Sequence, residues 1–368
     1  MFDRYQHFAE AALHDEAPSD DDLVWILEGA DVALLPLLHA AFVPREKHWG
    51  RTVQVHVLNN VQNGLCPEDC GYCSQSSRSE AKIRQYPLKS DDEIMAEAAA
   101  AAEAGASRYC MVMSARGPSI ATTHKLADLV RKVKAAHPIE VCLSVGLLGD
   151  EHAKILADAG LDRLNHNLNT SEERYGEICS THTFQDRVDT ITAAQRAGIG
   201  ACSGLIVGMG ESAAEIVEVA RRLRELEVPS IPVNFLIPIE GNPLLSDGSL
   251  SPEHCLRVLA LMRLVNPRAE VRVAGGREGH LRSLGPLCLY PANSLFVDGY
   301  LTTRGDDEAE TLRMIRDAGF EIQGNAEWAE RLAEPASADA EGGFRLRGGG
   351  GEILKPEISR PEGRGLDR

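Results

Sequence analysis

The sequence predicts an α/β fold in which a parallel sheet closes into a (β/α)8 barrel of the TIM type, preceded by a helical extension and followed by a flexible tail. Three observations carry that expectation. Eight short strand-like segments alternate with longer helical stretches; such alternation means a parallel sheet, and a count of eight favours closure. Several helical stretches end in Ala-Gly ahead of the next strand, at Ala104-Gly105, Ala159-Gly160 and Ala197-Gly198, where glycine supplies the left-handed cap. The competing arrangement, an open doubly wound sheet, calls for G-x-G-x-x-G after its first strand, and that pattern is absent there.

Taken in order, residues 1–50 read as helical: Asp20-Asp21-Asp22 leads into Leu23–Leu27, and a second apolar run covers Val32 to Val43. The expected boundaries are 1–50 for an N-terminal helical cap, 51–329 for the barrel and 330–368 for the tail. Strands are expected over Thr52–Leu58, Arg108–Met113, Glu140–Val145, Arg163–Asn167, Gly200–Val207, Ile231–Ile237, Glu270–Ala274 and Ser294–Val297. Helices are expected between them, over Asp91–Ala104, His124–Ala136, Glu151–Ala159, Phe184–Ala197, Ala213–Leu226 and Pro252–Val265, then Leu281–Leu287 and Glu308–Ala318. The tail carries Glu341-Gly342-Gly343 and Gly348-Gly349-Gly350-Gly351 with little apolar periodicity, a composition that does not build a core.

The totals bound the function. A chain of 368 residues, 43% hydrophobic, holds one large barrel or two ordinary domains. A formal net charge of −17 with no basic cluster argues against nucleic acid as a principal partner. No apolar run approaches the ~20 residues of a membrane span, and Met1-Phe2-Asp3-Arg4-Tyr5-Gln6 lacks a secretory layout. A cytoplasmic location is therefore expected. It makes the nine cysteines ligands or reduced core residues in preference to disulfides.

The chemistry centres on Asn60–Cys73, where Cys66, Cys70 and Cys73 sit as C-x3-C-x2-C among Gly64, Pro67 and Gly71. That composition reads as a loop, and a loop can fold three thiolates toward one point. Three soft ligands suit iron–sulfur or zinc centres. A [4Fe–4S] cluster normally takes four cysteines, so three leave one iron open. A zinc site usually pairs two short ligand units, and no second Cys-x-x-Cys or His-x-His unit is found to follow. Cys110, Cys142 and Cys202 fall on three different expected strands, all able to point inward and meet at the barrel axis as a second site. A lone strand cysteine is usually a small buried hydrophobe; three together favour convergence. Arg272, inside the seventh strand, needs a partner there; from chemistry alone a buried salt bridge is the simpler reading, since arginine stays protonated.

The run Gly64-Leu65-Cys66-Pro67-Glu68-Asp69-Cys70-Gly71-Tyr72-Cys73-Ser74-Gln75-Ser76-Ser77 resembles the cluster loop of radical S-adenosylmethionine (SAM) enzymes, and more narrowly the biotin synthase family. The resemblance runs from about Val53 to Thr303. It implies a [4Fe–4S] cluster on Cys66, Cys70 and Cys73, and a [2Fe–2S] cluster on Cys110, Cys142, Cys202 and Arg272. Cys179, Cys255 and Cys288 match no ligand position and are expected to be structural.

Asn165, Asn167 and Asn169 close the fourth strand at alternating positions, which places their amides on one face toward the barrel mouth; an asparagine-rich turn is the simpler alternative. The resemblance implies that Asn165 and Asn167 face the ureido ring of dethiobiotin. It places Asn169, where the family often has Asp, on the SAM ribose. It also implies Arg187 for the SAM carboxylate, Tyr72 against the adenine, Ile206 and Ile237 in the SAM pocket, and Asn234 on the substrate. The implied activity is a sulfur insertion converting dethiobiotin to biotin, with a sacrificial [2Fe–2S] cluster. A flavodoxin- or ferredoxin-type reductant, the iron–sulfur assembly machinery and a homodimer are implied as partners. Two alternatives stand beside it: a sister radical SAM barrel, such as a hydrogenase-cluster maturase or methylornithine synthase, and a non-catalytic iron–sulfur carrier.

Overall fold

The computed structural model describes residues 2–244, 250–297, 301 and 308–323; the expected tail at 330–368 lies outside them. The chain opens with three helices, α1 (Phe2–Leu13), α2 (Asp20–Glu28) and α3 (Leu34–Trp49). Ser19 caps α2 by accepting the Asp22 N–H at 3.2 Å, and three aspartates in its first turn suit the positive end of the helix dipole. Tyr5, Phe8 and Trp25 form an aromatic cluster between α1 and α2. On α3, the buried Arg45 donates to the carbonyls of Thr52, at 2.8 Å, and Ala292, so this helix closes the end of the barrel where the strands begin.

The strands are β1 (Thr52–Gln62), β2 (Arg108–Met113), β3 (Glu140–Ser144), β4 (Arg163–Asn165), β5 (Gly200–Cys202), β6 (Leu205–Val207), β7 (Ser230–Phe235), β8 (Glu270–Val273), β9 (Ser294–Phe296) and β10 (Glu321–Gln323). All pairings between these strands are parallel, and β1 bonds both β2 and β9, which closes the sheet. With β5 and β6 counted as one interrupted strand, the barrel has the eight strands expected.

The differences from expectation are local. The fifth strand breaks at Ser203-Gly204, where Gly204 crosses so close to β7 that a Cβ there would overlap the Pro232 carbonyl. Gly204→Ala is therefore expected to destabilise the fold by roughly 1–3 kcal/mol, read as a lowered midpoint in chemical denaturation. β4 ends at Asn165, two residues early: Leu168 N–H turns to Ser203 Oγ, and Asn169 rejoins the sheet through a single parallel bridge to Leu205. The added strand β10 pairs with the first residues of β1; at three residues it is too short to show a period. The helical stretch at 281–287 is a short α-helix, Arg277–Leu281, followed by a 3-10 turn over Arg282–Leu289. The Ala-Gly helix ends behave as expected: Gly105, Gly160 and Gly198 all have φ between 77° and 84°.

Alternation along the strands sends one row outward to a hydrophobic layer under the helices, with Tyr109, Met111, Val141 and Leu143 in one cluster. The other row points to the axis, where Cys110, Cys142, Ala274 and Phe296 form a separate small cluster. The barrel interior is therefore chemically distinct from the core that stabilises it.

Candidate active site

β1 leads straight into the cysteine loop. Gly64 and Leu65 both take left-handed backbone, φ 72° and 58°, turning the chain back over the barrel mouth. The loop is pinned by Gly64 N–H to Gln75 Oε1 at 3.1 Å and by Cys73 N–H to the Cys70 carbonyl at 3.1 Å. Cys66, Cys70 and Cys73 line one cavity of about 270 Å³. Burial pushes the Cys66 thiol up to about 11 and raises Cys73; a hydrogen bond with Cys179, then burial, raises Cys70. A metal, which binds the thiolate, must displace those protons.

Arg187 lies in the first turn of helix Phe184–Arg196. A helix-surface charge would sit in solvent; this one is 7% exposed and lines the same cavity. Its guanidinium donates to the Asn167 carbonyl at 2.7 Å, to His182 Nε2 at 2.9 Å, and to the hydroxyls of Tyr175 and Tyr72. None of these partners is a carboxylate, and a buried cation so placed attracts an anionic group into the cavity. Behind it, Glu68 contacts Nδ1 of His182. Sequence reasoning missed Glu68, Tyr175 and His182. Their signal was faint: an acidic residue between two candidate ligands, and a histidine five residues before the arginine.

Asn165 and Asn167 face the cavity as period two requires, with Asn165 Nδ2 3.3 Å from Asn167 Oδ1. Asn169 reaches it by another route: its backbone is left-handed, φ 71°, and its amide donates to the Tyr72 hydroxyl at 2.6 Å. Ile206 on β6 and Ile237 beyond β7 also line the cavity. Asn234 lines it too, although its amide is largely used within the barrel. It donates to the Leu205 carbonyl at 3.1 Å and accepts from Gly275 N–H at 3.0 Å.

Deeper down, the cavity reaches Cys110, Cys142 and Arg272. Cys110 and Cys142 are cross-strand neighbours. Hydrogen bonding from Cys142, opposed by burial and aided by Arg272 and Arg108, holds the Cys110 thiol low. Cys202 lies just behind, its Sγ 3.3 Å from Asn165 Nδ2 and 3.5 Å from Arg272 Nη1. Cys202 thus meets Arg272, and Cys110 and Cys142 lie near enough to feel its charge. The simpler reading of that arginine also holds: Arg272 pairs with Glu270, fully buried between it and Arg108. Glu270 is held well below the usual carboxylate range, burial opposing and Arg272 and Arg108 prevailing. Burial keeps His56, beside them, neutral. Arg272 Nε is buried without a hydrogen bond, a spare donor beside the Nη1 that meets Cys202, which fits an anionic group held there. Glu270 and Arg108 were legible in hindsight, two residues from Arg272 and Cys110 on the same strand faces.

Cys255 and Cys288 are fully buried, as expected of structural residues. Cys179 is different: its Sγ lies 3.7 Å from that of Cys70.

A cysteine loop at the mouth of a parallel barrel, opening on a buried cation, defines the radical SAM class. A family profile for the Radical SAM superfamily matches residues 62–223, and one for the Biotin and Thiamin Synthesis associated domain matches residues 232–321. Radical SAM enzymes use SAM and a [4Fe–4S] cluster as cofactors. The chain is 54% identical to the biotin synthase of Acaryochloris marina, over 81% of this chain and 86% of that one. It is 51% identical to the biotin synthase of Magnetococcus marinus, over 86% and 98%. The chain belongs to the biotin synthase family, and is an enzyme. Among solved structures, a methylornithine synthase superposes with a TM-score of 0.74 at 20% identity, covering 88% of this chain and 99% of that one. The hydrogenase maturase of Carboxydothermus hydrogenoformans gives 0.74 at 19%, covering 90% and 82%; both likenesses concern the fold. Among the described residues, no helix is long and apolar enough to cross a membrane.

Proposed function

We propose that this chain inserts sulfur into dethiobiotin to make biotin. The observation that carries the proposal is one continuous cavity with Cys66, Cys70 and Cys73 at its mouth and Cys110, Cys142 and Arg272 at its depth. Asparagine amides line the wall between them. When bound, the [4Fe–4S] cluster and SAM supply a 5′-deoxyadenosyl radical, and the [2Fe–2S] cluster supplies the sulfur.

The residues divide the work by position. Cys66, Cys70 and Cys73 hold the first cluster as thiolates and leave one iron for SAM. Arg187 receives the SAM carboxylate, oriented by Tyr175 and His182; Asn169 and Tyr72 take the nucleoside, and Ile206 and Ile237 pack beside it. Asn165, Asn167 and Asn234 offer neutral donors and acceptors that suit a ureido ring, holding dethiobiotin between the two centres. Cys110, Cys142 and Cys202 hold the second cluster, with Arg272 as its fourth ligand or nearest cation, kept charged against burial by Glu270. The narrow barrel keeps water from the reacting carbon.

The same reading includes a helical cap at 1–50, a barrel at 51–329 and a separate tail at 330–368. It includes a cytoplasmic homodimer served by a flavodoxin- or ferredoxin-type reductant and rebuilt by the iron–sulfur assembly machinery. Nucleic acid and membrane have no part in it.

The test is a single anaerobic turnover with reconstituted protein, SAM, dithionite or flavodoxin, and dethiobiotin. Biotin and 5′-deoxyadenosine appearing as the [2Fe–2S] spectrum bleaches is the expected result. Deoxyadenosine without biotin moves the substrate to a sister enzyme; no SAM cleavage by a loaded, reduced chain overturns the radical reading. Arg187→Gln is expected to raise the SAM Kd by about 10- to 100-fold, a loss of roughly 1.5–3 kcal/mol for one charge-assisted contact, measured by equilibrium binding.

A further inference from the structure

Cys70 has neighbours that the cluster reading does not use. Cys179 Sγ lies 3.7 Å from Cys70 Sγ and 3.3 Å from His182 Nδ1. The three donor atoms lie within 4.8 Å of one another, and all three residues are buried. Around a tetrahedral zinc ion, bonds of about 2.3 Å to sulfur and about 2.0 Å to nitrogen set sulfur–sulfur edges near ~3.7 Å and sulfur–nitrogen edges near ~3.5 Å. The Cys70–Cys179 and Cys179–His182 separations are close to those edges.

A fourth donor is at hand. Glu68 Oε2 contacts His182 Nδ1, and Asp69 Oδ1 is 3.3 Å from Cys179 Sγ. The remaining ring nitrogen, Nε2, is 2.8 Å from the Tyr175 hydroxyl, the outer partner that a metal-bound imidazole needs. The segment is held in place beforehand: Asp69 accepts the Ser180 and Thr181 N–H groups at 2.9 and 3.2 Å, and Gly71 N–H bonds the Ile178 carbonyl at 2.8 Å. Cys179-Ser180-Thr181-His182 is thus the second short ligand pair, a C-x2-H unit, that the zinc alternative lacked in the sequence. Nor does Cys179 extend the [4Fe–4S] ligand set. The cysteines of a cubane each bind a different iron and stand apart by the width of the cube, whereas these two sulfurs span one edge of a single ion's shell.

We propose that in the cluster-free chain Cys70, Cys179 and His182, completed by a carboxylate oxygen of Glu68 or Asp69, bind one borderline-soft divalent cation of the zinc type. Binding releases the thiol protons of Cys70 and Cys179 to solvent and leaves the His182 ring proton on Nε2, which then turns from Arg187 and donates to the Tyr175 hydroxyl. Because Cys70 cannot serve two centres, the ion and the [4Fe–4S] cluster exclude each other. Only that exclusion rests on the proposed function; the ion site stands on its own donors.

The experiment titrates the full-length, cluster-free chain with Co2+ alone under anaerobic reducing conditions, then competes with Zn2+. One equivalent of cobalt is expected to give the visible bands of a tetrahedral site and a near-ultraviolet thiolate-to-cobalt band, both erased by zinc. The signal is expected to persist in the Cys66→Ala/Cys73→Ala chain. In Cys179→Ala it should be lost, affinity falling by more than about 100-fold, beyond what an outer partner contributes. Binding that survives Cys179→Ala, or that disappears in the double variant, puts the metal on the loop cysteines and overturns the proposal, as does no binding at all. X-ray absorption on the zinc-loaded natural chain decides independently of any variant's folding: two sulfur ligands support the site and three overturn it. Failure of the cluster reading shows separately, as iron and sulfide reconstitution without a [4Fe–4S] spectrum.

Discussion

Replacing Cys142 by alanine should abolish biotin formation while SAM cleavage continues. Cys142 lies at the deep end of the cavity, paired across the strands with Cys110, whereas the groups proposed for SAM all sit at the mouth. Removing one thiolate takes away a ligand of the proposed [2Fe–2S] centre and none of the [4Fe–4S] centre. The expected loss in biotin yield exceeds about 100-fold, since even outer partners of metal ligands are worth 10- to 100-fold. Deoxyadenosine release should stay within a few-fold of the natural chain. Both products are quantified by mass spectrometry in the same reaction, beside the visible spectrum. Equal loss of both products would mean that the two ends of the cavity do not act separately.

The second large effect concerns stability. Glu270 is the buried carboxylate between Arg272 and Arg108, with Ser294 Oγ donating to it at 2.8 Å. Glu270→Gln keeps the shape and leaves two buried guanidiniums without their shared counter-charge. Breaking a buried pair in this way costs about 3–5 kcal/mol, read by chemical denaturation of the cluster-free chain. The pH dependence has a definite sign. The carboxyl is held well below its ordinary value in the folded chain, so its contribution is fully present above the unfolded value of about 4.3. It is lost as pH falls through the lower folded value. The stability gap between the natural chain and the Glu270→Gln variant should therefore be constant near neutrality and narrow in acid below about pH 4. A gap that widens in acid would mean that Glu270 is not the ionised partner of these arginines.

Much of this was legible one residue at a time. The eight-strand rhythm, the Ala-Gly helix ends and the cysteine loop are local patterns, and local patterns follow from period and turn chemistry. Cys110, Cys142 and Cys202 fall on strands, able to point inward, by the same logic. Other features were not legible. Arg187 was singled out only by the family resemblance, because its burial depends on Tyr175, His182 and the Asn167 carbonyl closing round it. Asn169 fell outside the strand because a left-handed residue breaks the period-two rule. Cys179 passed for a structural thiol because its partner Cys70 lies 109 positions earlier.

The sequence by itself determined the barrel, the loop that carries Cys66, Cys70 and Cys73, and the strands that carry the deeper thiols. Each of these is set by spacing within a few residues. Only the tertiary structure decided that the loop thiols open on one cavity with Cys110 and Cys142, that Arg187 and Arg272 are buried cations with different partners, and that Cys70 meets Cys179 and His182. Those facts depend on which strand-end loops face one another once the sheet has closed, and closure is a property of the whole chain: β1 must find β9 across more than two hundred residues before any of these groups can meet.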